Sequence, residues 1–175
     1  MAGPLHFAET HRLPDGTDIL VRPVRPEDES LIVELHDGHS EHTIRMRFFG
    51  LVRHLSRESL TRLCRLDPSR EAALAALHQG ADGRPHIIGV SRYHMHQGTD
   101  DAEFAVVVTD AWQGKGVGSY LMRRLADVGR ERGVKRLVGD VLRENTNMVR
   151  LMSGLGYTVE ATDDPAVLQA VRELV

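Results

Sequence analysis

Residues 103–125 have the sequence EFAVVVTDAWQGKGVGSYLMRRL, and the rest of the chain is arranged around this stretch. Apolar and β-branched residues dominate Phe104 to Thr109, which predicts a buried strand. From Gly116 onward, apolar residues recur with the spacing of an amphipathic helix that ends before Gly133. A strand, a glycine-rich loop and a helix in this order direct unpaired N–H groups, and the positive end of the helix dipole, at an anion such as phosphate.

The spacing of the glycines distinguishes among phosphate-binding loops. A P-loop needs four residues between its first glycine and Gly-Lys-Ser/Thr, and Gly114, Gly116 and Gly118 form G-x-G-x-G instead of the dinucleotide-binding G-x-G-x-x-G. The segment from Gln113 fits Q-x-x-G-x-G. In this motif the chain resembles the GNAT superfamily of acyl-CoA N-acyltransferases, whose corresponding loop holds the CoA pyrophosphate. The alternative is a glycine-rich turn that only begins a helix.

Composition limits the class of protein. The 175 residues predict a single domain over 1–175, with residues 1–16 as a loosely held arm because Pro and Gly interrupt them. A net charge of −3 favours neither nucleic-acid nor membrane binding, and without an apparent signal or membrane segment we expect the cytoplasm. His94 and His96 could share a strand face, but no HExxH or C-x-x-C motif accompanies them, so we expect no metal. The single cysteine, Cys64, is predicted to be buried.

The whole pattern of apolar periodicity and turn residues predicts the order β-α-α-β-β-β-α-β-α-β-β. Glu71 to His78 is rich in alanine and leucine, which favours a helix by propensity, but its place before a hairpin favours a strand. This order resembles the GNAT architecture. The resemblance implies an α/β (α+β) GNAT fold with a mixed central sheet of about seven strands, flanking helices and a splayed parallel strand pair that admits the pantetheine arm.

Acyl transfer to an amine needs a base for the amine and donors for the thioester oxygen. An unperturbed lysine amine is neutral in only about one molecule in a thousand at neutral pH, so a nearby carboxylate must take its proton. Glu103, at the start of the central strand among apolar neighbours, is the best candidate, as the resemblance also implies, and Asp101 is the fallback. The alternative is a solvated acidic residue at a strand end. Backbone N–H groups of Val106, Val107 or Val108 are the candidate oxyanion donors.

The second region of resemblance is the stretch ENTNMxxLxxxxGY that begins at Glu144. An asparagine opening this helix binds the cofactor in the GNAT family, and it could equally be an ordinary N-cap. Met152 stands where many members have a tyrosine acid, so the sequence offers no general acid. The predicted acetyl-CoA-binding residues are Val106, Val107, Val108, Gln113, Gly114, Lys115, Gly116, Val117, Gly118, Ser119 and Asn145.

Stretches such as ILVRPVRPEDE, RMRFFG and RLVGDVLRENTNMVRL are similar to the acetyltransferase domain of bacterial Pat-type protein lysine acetyltransferases. The resemblance implies acetyl-CoA as co-substrate and a protein lysine as acceptor, for example on an acyl-CoA synthetase. Arg45, Arg47 and Phe48 would then lie near the acceptor groove, or else serve the core. The alternatives are an acetyltransferase for a polyamine or aminoglycoside and a non-catalytic acyl-CoA sensor. A homodimer stays open.

Overall fold

The computed structural model of the protein describes residues 3–48 and 56–174, and only the backbone at residues 47 and 48. The strands within these ranges are β1 (Glu9–Arg12), β2 (Asp18–Pro23), β3 (Glu71–Gln79), β4 (Pro85–Met95), β5 (Asp101–Val108), β6 (Arg136–Leu142), β7 (Thr158–Ala161) and β8 (Val167–Glu173). The helices are α1 (Glu29–Asp37), α2 (Glu41–Phe48), α3 (Arg57–Cys64), α4 (Val117–Glu131) and α5 (Thr146–Gly154).

The strands form one mixed sheet in the order β1-β2-β3-β4-β5-β6-β8-β7. Every neighbouring pair is antiparallel except β5 and β6, which are parallel because α4 lies between them in the chain. The predicted mixed sheet with flanking helices and one parallel pair is confirmed.

Helices cover both faces of the sheet. On one face α4 packs the fully buried Leu121 and Leu125 against β3, β4 and β5. On the other face α1 and α3 contribute Ile32, Leu60 and Cys64 to a second core. The burial expected for Cys64 is confirmed, and it raises the pKa of the thiol to about 11.

Strand β3 shows why its residues are extended although alanine and leucine favour helices. Ala72 to Ala76 are at most 1% exposed, and the two alternating sets of side chains belong to the two different cores. A central strand that is covered on both sides is apolar at every position, so tertiary packing overrides the helix propensity. The predicted strand is confirmed.

The parallel pair diverges after a short contact. Pairing of β5 with β6 runs from Asp101↔Arg136 to Glu103↔Val138 and covers no later residue of β5. At the point of divergence the Phe104 ring covers Gly139, where a Cβ would lie 2.6 Å from the ring. The strands therefore leave a gap beside Val106 and Val108, as the predicted splay requires.

Strand β1 was not predicted. Glu9–Arg12 pairs with Asp18–Val21 of β2, and Leu13 beside it is 2% exposed. The expectation of a loosely held arm is therefore wrong for these residues, and β2 is neither the first strand nor an edge. This extra strand also brings the sheet to eight strands instead of about seven. The single domain over residues 1–175 stays a prediction.

Candidate active site

The glycine-rich loop forms the N-terminal end of α4. Gly114 and Gly116 have φ angles of 76° and 94°, which residues with a Cβ atom rarely adopt. Gly116 is the N-cap residue and no side chain caps the helix there. The N–H groups of Val117, Gly118 and Ser119 come before the first helical bond, which Tyr120 donates to the Gly116 carbonyl. This end of α4 thus has the geometry and dipole that a phosphate group requires.

The open edge of β5 supplies a second set of main-chain groups. Thr109 donates its N–H to the Ile88 carbonyl of β4 at 2.9 Å. Because main-chain groups alternate along a strand, the N–H of Val107 also faces β4, and those of Val106 and Val108 face the gap toward β6. Of the three predicted oxyanion donors, Val107 therefore directs its N–H away from the gap, and Val106 and Val108 direct theirs into it. Their role as donors stays a prediction.

A cavity of about 540 Å³ connects the loop to this edge. Trp112, Asn147, Arg150 and Leu151 are part of its lining. All the predicted cofactor-binding residues line it except Lys115 and Val117. Val117 is 1% exposed in the α4 core, so only its main chain could contact a ligand.

Two predicted ligand-binding side chains make contacts within the protein. The Gln113 amide donates to the Val108 carbonyl at 3.0 Å and to Thr43 Oγ1 at 3.3 Å, so it fixes the loop against β5 and α2. Asn145 accepts the Met148 N–H at 3.2 Å and so caps α5. The predicted N-cap is confirmed, and Asn145 also lines the cavity.

Helix α2 forms one wall of the cavity, although no clear secondary structure could be predicted for this stretch. His42, Thr43 and Met46 line the cavity from α2. Thr43 Oγ1 donates to Asp110 Oδ1 at 2.5 Å, which ties the helix to the segment before the glycines. The mean hydropathy of α2 is low and its periodicity weak, because it packs on the edge of the site and only partly on the core.

A second space, a cleft of about 490 Å³, lies around Glu103. The cleft and the cofactor cavity share Met46, Val106, Asn145 and Met148 in their linings, so the two meet at the gap between β5 and β6. His94 is in register with Glu103, and Glu103 with Val138, so these side chains and Asp140 share one face of the sheet.

Glu103 lies in this cleft but is not buried. Its side chain is 58% exposed, and Oε2 lies 3.3 Å from His96 Nε2. The apolar surroundings that we expected are therefore not found. The fallback base Asp101 is bound by Arg136, with an Nε–Oδ1 distance of 3.0 Å, and this hydrogen bond lowers the pKa of Asp101. The guanidinium makes Asp101 a poor base.

Two further charged residues of the cleft were missed from the sequence. Partial burial raises the pKa of Asp140, and the negative charge of Glu103 raises it further. Among the described residues, none forms a hydrogen bond or an ion pair with the Asp140 carboxylate. Arg92 donates to the Leu63 carbonyl at 3.0 Å, and burial lowers its pKa. The signal for Asp140 was its place as the one carboxylate inside the otherwise apolar segment VGDVL of β6.

Of the three residues predicted to lie near the acceptor, only Arg45 has a described side chain. Arg45 pairs with Glu144 at 2.6 Å and lines neither space, so it links α2 to the start of α5. The side chains of Arg47 and Phe48 lie outside the described residues. Met152 is fully buried in the core, where it cannot protonate a leaving group.

In residues 3–48 and 56–174, no three His, Cys, Asp or Glu side chains come together as metal ligands. No helix in the described part of the chain is long and apolar enough to cross a membrane.

Comparison with known proteins identifies the family. Residues 18–158 match the family model described as the acetyltransferase (GNAT) domain. The chain is 32% identical over 160 residues to Acetyltransferase PA5475 of Pseudomonas aeruginosa, covering 91% of this chain and 84% of that protein. It is also 32% identical over 141 residues to Acetyltransferase Pat of Mycolicibacterium smegmatis, which covers 81% of this chain but 41% of that relative.

Among solved structures, the GNAT domain of S. lividans PAT superimposes with a TM-score of 0.88 at 30% sequence identity. The match covers 98% of this chain and 99% of that domain. The predicted similarity to Pat-type domains is thus confirmed over nearly the whole chain. The chain belongs to the GNAT acetyltransferase family and is an acyl-CoA-dependent N-acyltransferase.

Proposed function

We propose that this enzyme transfers an acetyl group from acetyl-CoA to the ε-amine of a lysine on a protein such as an acyl-CoA synthetase. The observation that carries the proposal is the meeting of two differently built spaces at the diverging strands. One has main-chain donors for a diphosphate and a thioester, and the other has carboxylates for an amine. The two substrates would approach each other from opposite ends of the gap.

The residues at the junction have distinct roles in this proposal. Acetyl-CoA supplies the acetyl group as a thioester. Glu103 takes the proton of the incoming ammonium, directly or through a water, so that the nitrogen lone pair becomes available. The N–H of Val106 or Val108 donates to the carbonyl oxygen as negative charge develops there, which is typically worth about 3 kcal/mol.

No side chain is needed to protonate the departing thiolate, because a thiol is acidic enough to leave as its anion. The apolar Met152, in the position where many family members have an acid, is compatible with this chemistry.

The choice of a protein lysine rests on similarity. The likeness to the Pat proteins extends over the acceptor side of the fold as well as the cofactor side, since it covers 98% of the chain in one case and 81% in the other. The exposed cleft at the start of β5 also suits a lysine side chain that projects from the surface of an acceptor protein.

A second candidate is a small cationic amine such as a polyamine. The carboxylates of Glu103 and Asp140 face the same cleft, which favours an acceptor with more than one positive charge. Arg92 in the cleft opposes this reading, because its guanidinium repels a cation.

The test is incubation with isotope-labelled acetyl-CoA and separate acceptors: an acyl-CoA synthetase, spermidine and an aminoglycoside, followed by mass spectrometry. Label on a synthetase lysine supports the proposal, and label on small amines alone supports the second candidate. Bound coenzyme A with no transfer to any acceptor would indicate a non-catalytic sensor. The chain itself contains two lysines, Lys115 and Lys135, so self-acetylation is easily mapped and subtracted.

A further inference from the structure

The N-terminal segment, which the sequence predicted to be loose, packs on the glycine-rich loop. The turn between β1 and β2 brings Pro14 next to Gly116, where its Cδ lies 3.4 Å from the place of a Cβ. Asp15 pairs with Lys115 at 3.7 Å. Gly116 also lines the cofactor cavity, so Pro14 supports from behind a loop whose other side faces the ligand space.

A second group of contacts connects β1 to the first two turns of α4. Tyr120 Oη donates to Glu9 Oε1 at 2.8 Å, and Arg124 forms an ion pair with the same carboxylate. The His11 ring stacks on Tyr120 with a centroid distance of 3.7 Å. The Glu9 carboxylate therefore joins β1 to two successive turns of the helix whose N–H groups face the cavity.

The family model begins at residue 18, so β1 and the Pro14 turn lie outside the part of the chain that it matches. The loop contains two glycines with positive φ, Gly114 and Gly116. Because glycine has access to many backbone conformations, an unsupported loop would exchange among several of them. A support that selects one of them reduces the entropy lost on binding.

We propose that the β1–β2 hairpin positions the phosphate-binding loop, with Pro14 and Asp15 as positioning residues that act through Gly116 and Lys115. The inference rests on the proposed binding of acetyl-CoA. The proposed sites of the acyl group and the amine lie in the gap and the Glu103 cleft, and the hairpin lines neither space. The hairpin should therefore affect the affinity for coenzyme A and leave kcat unchanged.

The test variants are Pro14→Gly, which removes the contact and loosens the turn, and Asp15→Asn. In the second, the asparagine oxygen can still accept the Thr17 N–H that Asp15 Oδ1 accepts at 2.9 Å, so only the pairing with Lys115 is lost. The turn at the opposite edge of the sheet provides a matched control. There Asp164 Oδ1 accepts the Ala166 N–H at 2.9 Å, which permits Asp164→Asn and Pro165→Gly far from the loop.

Calorimetry should give a Kd for coenzyme A that is raised about five- to ten-fold by Pro14→Gly and about two-fold by Asp15→Asn. The KM for acetyl-CoA should rise in parallel, kcat at saturation should stay at the wild-type value, and the Asp164 and Pro165 variants should change neither. An unchanged Kd in both loop-side variants, or an equal fall in kcat, overturns the inference. Should Pro14→Gly unfold the chain, Asp15→Asn decides.

Hydrogen exchange of the ligand-free protein separates this inference from the proposed function. Amides of residues 114–119 should exchange faster in Pro14→Gly than in wild type or Pro165→Gly, whatever the ligand is. No difference in exchange overturns the positioning role even if coenzyme A binds. Failure of wild type to bind coenzyme A rejects the proposed function, and the exchange result still reports on the hairpin.

Discussion

The cavity at the glycine-rich loop, which we propose holds acetyl-CoA, and the Glu103 cleft, which we propose receives the acceptor, meet at the same gap. They are built from different parts of the chain. The cavity presents main-chain N–H groups from the start of α4 and the open edge of β5. The cleft presents charged side chains from β4, β5 and β6. Main-chain donors keep their direction whatever side chains are nearby, whereas a carboxylate depends on every neighbouring charge. The first kind of site suits a co-substrate shared by a family, and the second suits an acceptor that differs among its members.

The strongest way to break this comparison is Gly116→Trp. A tryptophan cannot easily adopt a φ of 94°, and its side chain would start toward Pro14, whose Cδ lies 3.4 Å from the Cβ position. The loop would have to change its conformation to admit the ring, so coenzyme A affinity should fall by more than about 100-fold. Calorimetry measures the loss. Gly83→Trp is the control, because Gly83 has a similar φ of 77° and open space around its Cβ position in the turn between β3 and β4. Retained binding in Gly116→Trp would show that the loop is not the phosphate site.

On the acceptor side, Glu103→Gln should lower kcat by about 100-fold, since the variant has no base for the ammonium. The Kd for acetyl-CoA should hardly change, because Glu103 lies in the cleft and not in the cofactor cavity. Steady-state kinetics and calorimetry measure the two quantities, with the exposed Glu160→Gln of β7 as control. An equal loss of turnover and cofactor affinity would count against the role of Glu103 as a base.

The gap that joins the two spaces is tested by Gly139→Ala. The new methyl group would lie 2.6 Å from the Phe104 ring, so we expect a loss of about 1–3 kcal/mol in the free energy of unfolding. Urea denaturation measures it, and Gly154→Ala, which has no atom within 4 Å of its Cβ position, serves as control. Phe104→Leu should restore part of the loss in the double variant. Equal stability of both alanine variants would mean that the Phe104 ring is not packed tightly on Gly139.

The smallest effect is expected from Asp140→Asn. Because burial and Glu103 raise the pKa of Asp140, its ionised form destabilises the fold above the ordinary value of 3.8. The variant should be more stable at pH 7 by at most about 0.5 kcal/mol, because the carboxylate is only partly desolvated by the cleft and the residue is otherwise exposed, so water screens its charge. The gain should shrink as the pH falls through the raised pKa of Asp140 in the folded protein. It should disappear well below 3.8, where Asp140 is protonated in the folded and in the unfolded protein. Denaturant titrations at pH 7 and pH 3 test the sign, and a variant less stable at pH 7 would contradict it.

The fold was largely predictable because its determinants are local. Gly116 and Gly133 mark the ends of α4, and period-two and period-3.6 patterns set most of the other elements. Strand β1 was missed because residues 9–12 are all polar, so they show no alternation of apolar and polar side chains. Its hydrogen bonds to β2 are made by the main chain, which these side chains do not reveal. Helix α2 was missed for a similar reason, since few of its residues belong to either core.

The sequence by itself determined the family and the conformation of the glycine-rich loop, because a glycine motif specifies backbone conformations that no other residue adopts easily. The tertiary structure alone showed that Val106 and Val108 face the gap, that Glu103 is exposed beside His96, and that Asp140 lies across from it. These facts depend on the register of two strands that α4 separates in the chain. Register is fixed by the packing of the whole sheet, and for that reason no local stretch of sequence contains it.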